Sequence, residues 1–367
     1  MMINTSESIY IVGAHSRART LAAYFRYLYP AVLIESYLVD NAEENEEEID
    51  GISVIRFDKD TELHKNYPVF IGTRGIYHAA LSEKLKELGM QRIYPVTVEL
   101  DLEFRNMYLK KFFPSIGRSF EKIDELKELD AEGKDTERFQ ACIYVAKSIY
   151  DTPLQQTYAL ASYEKPIQVG ASLTEKRLPD VIFTDNSGEN ISAKNKQYCE
   201  LTALYWIWKH AAEDVVGLVH YRRHFLLPDD WLERMTTHGI DVILPIPLYV
   251  APNLMEDFKR RHDPLDWDYM MQNLKLNHEE DYLEAKKFFQ SNLYSPCNMF
   301  IMKKKVLDDL CTWLFPILDK VAEHRGQKED TYLNRYPGFI SERLITFFFE
   351  KHREKYKMVY ADKSFLP

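Results

Sequence analysis

Short apolar runs ending at a glycine or a polar turn alternate with stretches of helical periodicity along this chain, and that alternation restricts it to α/β architectures built on parallel sheets. Residues 8–14 (Ser-Ile-Tyr-Ile-Val-Gly-Ala) read as a buried strand, and 17–29 carry apolar side chains at helical spacing. Strands are expected at 32–40, 52–57 and 69–72, with an acidic run through Glu43, Glu44, Glu46, Glu47 and Glu48 and a helix at 76–88 stopped by Gly89. Residues 1–100 therefore form a small Rossmann-like domain. The next stretch, 101–139, reads as a helical connector, with charged helices at 101–113 and 120–129 separated by Pro114-Ser115 and closed by Gly133. A second α/β domain occupies 140–367. Its strands are expected at 141–146, 215–219, 241–244 and 298–302, and its helices at 198–210, 281–290, 306–321 and 342–351.

Charge and cysteines exclude several functions. A formal net charge of -10 is contrary to the basic face of a duplex nucleic-acid binder. The one concentrated basic stretch, His352–Lys357, reads as a solvated helix end. No apolar run reaches the roughly 18 residues of a membrane span, and the polar start lacks the features of a secretory signal. Cys142, Cys199, Cys297 and Cys311 are widely separated with no CxxC pair, as expected of reduced thiols in a cytoplasmic protein. The turn Gly13-Ala14-His15-Ser16-Arg17-Ala18 lacks two of the three glycines of a dinucleotide fingerprint, which counts against a nicotinamide-dependent oxidoreductase. Gly72-Thr73-Arg74-Gly75 is a second loop able to meet a phosphate or to serve as an ordinary turn.

Residues 185–225 are densest in polar groups. Asp185–Ser192 is loop chemistry, and Ser192 or Asn195 can cap a helix whose apolar side is Leu201, Leu204, Tyr205 and Trp208. The first turn of that helix, with Tyr198, Cys199 and Glu200, can hold an anion, although Glu200 there also simply complements the helix dipole. The apolar run Val215–Val219 then leads into His220-Tyr221-Arg222-Arg223-His224. Ligands of open α/β sheets gather at the carboxyl ends of strands, and a planar guanidinium suits a phosphate. Pairing of Arg222 and Arg223 with carboxylates of the domain is the structural alternative.

These strings resemble the family catalogued as domain of unknown function 4422. The similarity runs through 185–210 and Gly217–Phe225, and through Pro166–Ala171, Asp241–Pro245, Tyr294–Met302 and Gly338–Leu344, in the family's order over about residues 140–365. The resemblance implies a GT-A-like glycosyltransferase (a hexosyltransferase) of bacterial capsule and polysaccharide biosynthesis, some relatives of which transfer galactofuranose from uridine diphosphate. The first domain is similar to the amino-terminal domains of sugar acyltransferases. One departure is Ala146-Lys147-Ser148 where the family has Thr-His-Lys.

The implied reaction uses a UDP-sugar donor and a glycan or lipid-linked acceptor, with peripheral contact at the inner membrane face. Donor-binding candidates are Gly170, Asn190, Asn195, Tyr198, Glu200, His220, Tyr221, Arg222, Arg223 and Arg343. For an inverting reaction the candidate bases are Glu342, Asp263 and Asp266. No cofactor is assigned. A divalent metal is the less favoured arrangement: Asp266-Trp267-Asp268 follows no apolar strand, and His220, Arg222 and Arg223 supply the compensating charge. Trp267, Tyr269 and Tyr294 are candidates for a sugar platform. The competing reading is a non-catalytic nucleotide-sugar-binding or scaffold protein of a polysaccharide assembly complex.

Overall fold

The computed structural model of the chain describes residues 7–40, 45–127, 139–156 and 158–366. They fall into two compact units, one of residues 1–120 with 249–251 and the other of 121–248 with 252–367. Glu43, Glu44, Leu129 and Gly133, invoked above, lie outside the described residues.

In the first unit, strands β1 (Ser8–Val12), β2 (Leu33–Val39), β3 (Glu48–Ile49), β4 (Ile52–Arg56), β5 (Val69–Ile71) and β6 (Ile93–Pro95) form one sheet in the order β3-β4-β2-β1-β5-β6. All neighbours are parallel except the β3–β4 edge. Helix α1 (Ser16–Leu28) buries Ala18, Leu21, Ala22 and Phe25, the i, i+3, i+4, i+7 stripe of an amphipathic helix. It starts so close to the sheet that a side chain on Gly72 would lie 3.0 Å from the Ala18 backbone, which is why that strand ends in glycine. Helix α2 covers His78–Glu87. Helix α3 runs Val98–Ser115, N-capped by Thr97, whose hydroxyl accepts from the Leu100 amide at 3.3 Å. The sequence assigns α3 to the connector. It packs instead on α1, through Phe25 with Phe104 and Tyr27 with Tyr108, and ends one residue past Pro114. Of the second connector helix, only a 3-10 turn at Ile123–Glu125 is found in 120–127.

The second unit is built on a seven-stranded sheet. Its labelled strands are β7 (Ala141–Lys147), β8 (Glu164–Gln168), β9 (Phe183–Thr184), β10 (Val215–His220) and β11 (Val242–Pro245). The order is Met358–Ala361, β11, Phe300–Lys303, β10, β7, β8, β9, with only the strand at 300–303 antiparallel to its neighbours. β7 and β10 are apolar and buried along their length, as central parallel strands covered on both faces must be. Gly217 sits where a Cβ would meet Ile143 at 3.0 Å and Ile301 at 3.1 Å, so glycine admits both neighbouring strands. The core on one side of the sheet joins Ile143, Val145, Val219, Trp231, Met235 and Ile301.

Helices α4 (Asn195–Tyr198), α5 (Leu201–His210), α6 (Trp231–Thr237), α7 (Leu254–Arg261), α8 (Pro264–Asn277), α9 (Glu279–Phe288), α10 (Lys304–Arg325) and α11 (Tyr336–Lys351) complete the unit. Two differ from expectation with a local cause. The helix read at 198–210 is broken at Cys199, which has φ +51°. The helix read from 342 begins six residues earlier, because Pro337 occupies the first turn, where its missing N–H costs no hydrogen bond. The basic tail is largely engaged: Lys355 pairs with Asp309 at 2.9 Å and Lys357 donates to the His238 carbonyl at 2.9 Å. No helix of the described residues is long and apolar enough to cross a membrane.

Candidate functional site

β7 is the switch point of the larger sheet. The chain leaves it toward β8 and β9 on one side and returns as β10 on the other, parallel in both pairings. The crevice outside the carboxyl ends of such diverging strands is where open α/β sheets bind ligands. Immediately past β10 the chain folds back, with the Arg223 amide donating to the His220 carbonyl at 2.9 Å and the His220 amide to the Arg223 carbonyl at 3.2 Å. The Tyr221 amide donates to the Ala146 carbonyl at 3.1 Å, tying the turn to β7. Arg222 lies against the ring of Tyr221 and donates to the Thr152 carbonyl at 3.2 Å, while its buried Nε has no partner. Arg223 lines a cavity.

That cavity, about 160 Å³, is bounded by Cys199, Glu200, His220, Arg223, Cys297, Arg335, Gly338, Phe339 and Glu342. Two corners of left-handed backbone build it. Cys199 at φ +51° interrupts the helix so that Glu200 joins the cavity wall. Its carbonyl accepts from Asn195 Nδ2 at 2.8 Å and Thr202 Oγ1 at 3.1 Å, and its Sγ accepts from Arg335 Nε at 3.0 Å. Cys297 (φ +76°) and Asn298 (φ +50°) form the second corner. There the Cys297 amide donates to Glu342 Oε1 at 2.6 Å, and Asn298 Nδ2 donates to Glu200 Oε1 at 2.8 Å and to the Gly338 carbonyl at 3.0 Å. Such backbone costs on the order of 1–3 kcal/mol per residue and persists only where the surroundings enforce it, commonly at functional sites.

The electrostatics are mixed. Burial raises the proton affinity of the Glu342 carboxyl; Arg343 and the Cys297 amide oppose this, and Glu200 adds to it. Arg343 is buried, 2.8 Å from Glu342 Oε2 and 3.4 Å from Asp257, with its guanidinium 4.2 Å from the Tyr294 ring centre. His220 Nε2 lies 2.6 Å from the Cys297 carbonyl oxygen, so that nitrogen carries the hydrogen and Nδ1 is the ring's other functional position. Glu200 Oε1 is 4.0 Å from the same nitrogen. Burial pushes the Cys199 and Cys297 thiols up to about 11, which leaves them protonated and unreactive at neutral pH. Arg223 differs from the other cations: among the described residues its guanidinium has no hydrogen bond or ion pair, and it rests only on the ring of Phe365, 5.4 Å away.

The expected site residues divide into two groups. Glu200, His220, Arg223 and Glu342 meet at the cavity, with Tyr221 and Arg222 on the adjoining turn and Arg343 behind Glu342. Gly170, Asn190, Asn195 and Tyr198 are bonded within the wall. Gly170 (φ +67°) and Ala171 donate their amides to buried Asp185 at 2.8 and 3.0 Å. Asn190 closes its own loop on the Gly188 carbonyl, Asn195 braces Cys199, and buried Tyr198 donates to Asp319 at 2.6 Å. Asp263 and Asp266 do not line the cavity. Asp263 caps α8, and both are held by Arg325 (2.7 and 2.8 Å) and by Lys328. Asp268 pairs with Lys259 at 2.6 Å, so the two carboxylates of Asp266-Trp267-Asp268 have separate cationic partners. Among the described residues no group of three or more His, Cys, Asp or Glu side chains is arranged to hold a metal ion. Trp267 and Tyr294 are buried in the core and Tyr269 is stacked on His324 at 3.6 Å, which leaves no shared platform. Cys297 and Asn298 join the site through non-glycine left-handed corners, which leave no mark in local sequence, and Arg335 and Phe339 reach it from the start of α11, whose position the sequence does not show.

A family model described as a domain of unknown function (DUF4422) matches residues 151–354. A solved structure described as the WbbM bifunctional glycosyltransferase in its apo form is similar, with a TM-score of 0.54 and 25% identity. The match covers 62% of this chain and 45% of that one, so this chain spans under half the length of that protein. No curated protein matches. The α/β architecture with parallel-rich sheets is GT-A-like in its second unit. With more than half of its residues matched by the family model, and with the cavity-lining residues between 199 and 342 all inside the match, the chain belongs to the DUF4422 family.

Proposed function

We propose that this protein is a glycosyltransferase moving a hexosyl group from a uridine-diphosphate donor to a surface-polysaccharide or lipid-linked glycan acceptor, with galactofuranose the sugar implied by the family resemblance. The observation that carries the proposal is Arg223, a guanidinium lining a cavity beside the sheet's switch point without a carboxylate partner among the described residues. An arginine already neutralised in a wall has little affinity left for an anion; this one retains its five donors. Arg222, with its unfilled buried Nε, adds a second guanidinium on the β7 side.

In this reading the departing diphosphate lies across the turn after β10. Arg222 and Arg223 stabilise its growing charge, a preorganised electrostatic role, while the His220 ring, tied to the Cys297 carbonyl, braces the turn. Glu342 takes the proton of the acceptor hydroxyl. Its raised proton affinity suits that step, because a base that is too weak drives no transfer at neutral pH. Arg343 and the Cys297 amide hold its two oxygens in place. Glu200, fixed by Asn298, is placed to accept from a sugar hydroxyl.

The test is a thermal-shift and calorimetric panel of UDP, UDP-sugars and NAD. UDP is expected to stabilise the wild type. Arg223→Ala should weaken UDP binding about 10- to 100-fold, the equivalent of one charge-assisted interaction of roughly 1.5–3 kcal/mol. Binding of UDP that is indifferent to both Arg222→Ala and Arg223→Ala would remove the proposal.

A further inference from the structure

We infer that Phe365 is a positioning residue for Arg223, and that the carboxyl-terminal segment 362–366 is part of the candidate site. This rests on the reading of Arg223 given above. The family model stops at residue 354, so the segment is a feature of this chain outside the matched region.

The segment runs antiparallel to the residues that follow β10. The Leu226 amide donates to the Asp362 carbonyl, the Ser364 amide to the His224 carbonyl and the Leu366 amide to the Arg222 carbonyl, each at 2.8 Å, around a bridge between Phe225 and Lys363. The Ser364 hydroxyl accepts from the His224 amide at 3.2 Å. Asp362 is anchored in turn by the Lys122 ammonium at 2.6 Å. The arginine turn is thus backed by a short ladder whose far strand is the tail.

In a two-residue alternation the ladder puts Asp362, Ser364 and Leu366 in backbone register and leaves the Phe365 side chain to lie by Arg223. Phe365 is 59% exposed, so its ring lies at the surface beside the Arg223 guanidinium rather than in the core. Arg223 has no other side-chain partner among the described residues, so its rotamer depends on that ring. A cation over an exposed aromatic face gains enough to favour one arrangement by about two- to fivefold. Lys363 bears electrostatically on Cys297, as Arg223 does, which places the tail's charge beside the same cavity wall.

Three proteins test this: wild type, Phe365→Leu, which keeps apolar bulk but removes the π face, and Phe365→Tyr, which keeps the ring. Two measurements are made on each, the UDP dissociation constant by calorimetry and the rate at which phenylglyoxal modifies Arg223, followed by peptide mass spectrometry without ligand. The expected result is a two- to fivefold loss of UDP affinity and faster Arg223 modification in Phe365→Leu, with Phe365→Tyr matching wild type in both. Equal modification rates in wild type and Phe365→Leu overturn the positioning role. A wild type that does not bind UDP overturns the donor assignment instead, while the modification rates still decide whether Phe365 holds Arg223.

Discussion

Asp185 gives the sharpest separation between a ligand-binding motif and a scaffold. Its fully buried carboxylate accepts from the amides of Gly170 (2.8 Å) and Ala171 (3.0 Å) and from the hydroxyls of Ser192 and Thr202, the latter at 2.6 Å. In Asp185→Ala the two amides lose their acceptor inside the protein, and a buried orphan donor costs about 1–3 kcal/mol. Thr202 keeps a second acceptor in the Cys199 carbonyl at 3.1 Å, so its hydroxyl contributes little to the loss. Adding the cavity left by the carboxylate, the substitution should destabilise the second unit by about 3–5 kcal/mol. For a unit of this size that lowers the midpoint by roughly 6–20 °C. Differential scanning calorimetry measures it, with the two units fitted as separate transitions, since a two-unit chain need not unfold in one step. UDP affinity extrapolated to the folded fraction should be unchanged. An Asp185→Ala protein with wild-type stability and no UDP binding would refute this account and make the loop at 185–192 part of the ligand site.

Other outcomes follow from the same geometry. Glu342 acts as a base only when ionised and burial raises its proton affinity, so the transfer rate should fall with decreasing pH on a limb above the ordinary glutamate range of about 4.3. Glu342→Gln should lower the rate by about 10²–10⁴ and abolish that limb while keeping UDP affinity within about twofold; a pH–rate profile of both proteins decides it. His262 is stacked on Phe339 at 4.1 Å, and burial, with Arg343, Arg261 and Lys328, depresses its pKa to about 3. A depressed histidine leaves stability whole above about pH 6.5 and drains it as pH falls, by about 2 kcal/mol at pH 5. His262→Phe should therefore lose less stability between pH 7.5 and pH 5 in urea titrations, and an equal loss in both proteins would contradict the assignment. Asp268 serves only a half-exposed pair with Lys259, so Asp268→Ala should leave the transfer rate within about twofold, with or without chelator.

Much of the architecture was legible in advance. The strands at β1, β5, β7 and β10 announce themselves as apolar runs, because a central parallel strand is buried on both faces and must be apolar throughout, whereas β2 and the largely exposed β4 show only partial runs. The two-residue β9 is too short to carry a pattern, and β6 and the strand at 358–361 each follow a basic stretch, Gln91-Arg92 and Lys355-Tyr356-Lys357, that leaves no bounded apolar run. The helix start at Tyr336 was hidden by Pro337-Gly338, a pair that reads as a breaker in the interior and is compatible with a first turn.

For the site, local sequence determined one thing well: an apolar strand delivering His220, Tyr221, Arg222 and Arg223 to a sheet edge, together with the α/β class that makes such an edge a place for ligands. Which of those cations stays free is a matter of distant neighbours. Arg223 avoids a carboxylate, Arg343 is bound by Glu342 and Asp257, and Asp263 and Asp266 are spent on Arg325 and Lys328, residues some 60 positions away. Charge composition is local, but neutralisation depends on three-dimensional distance. Only the folded chain decides which charges remain for a ligand.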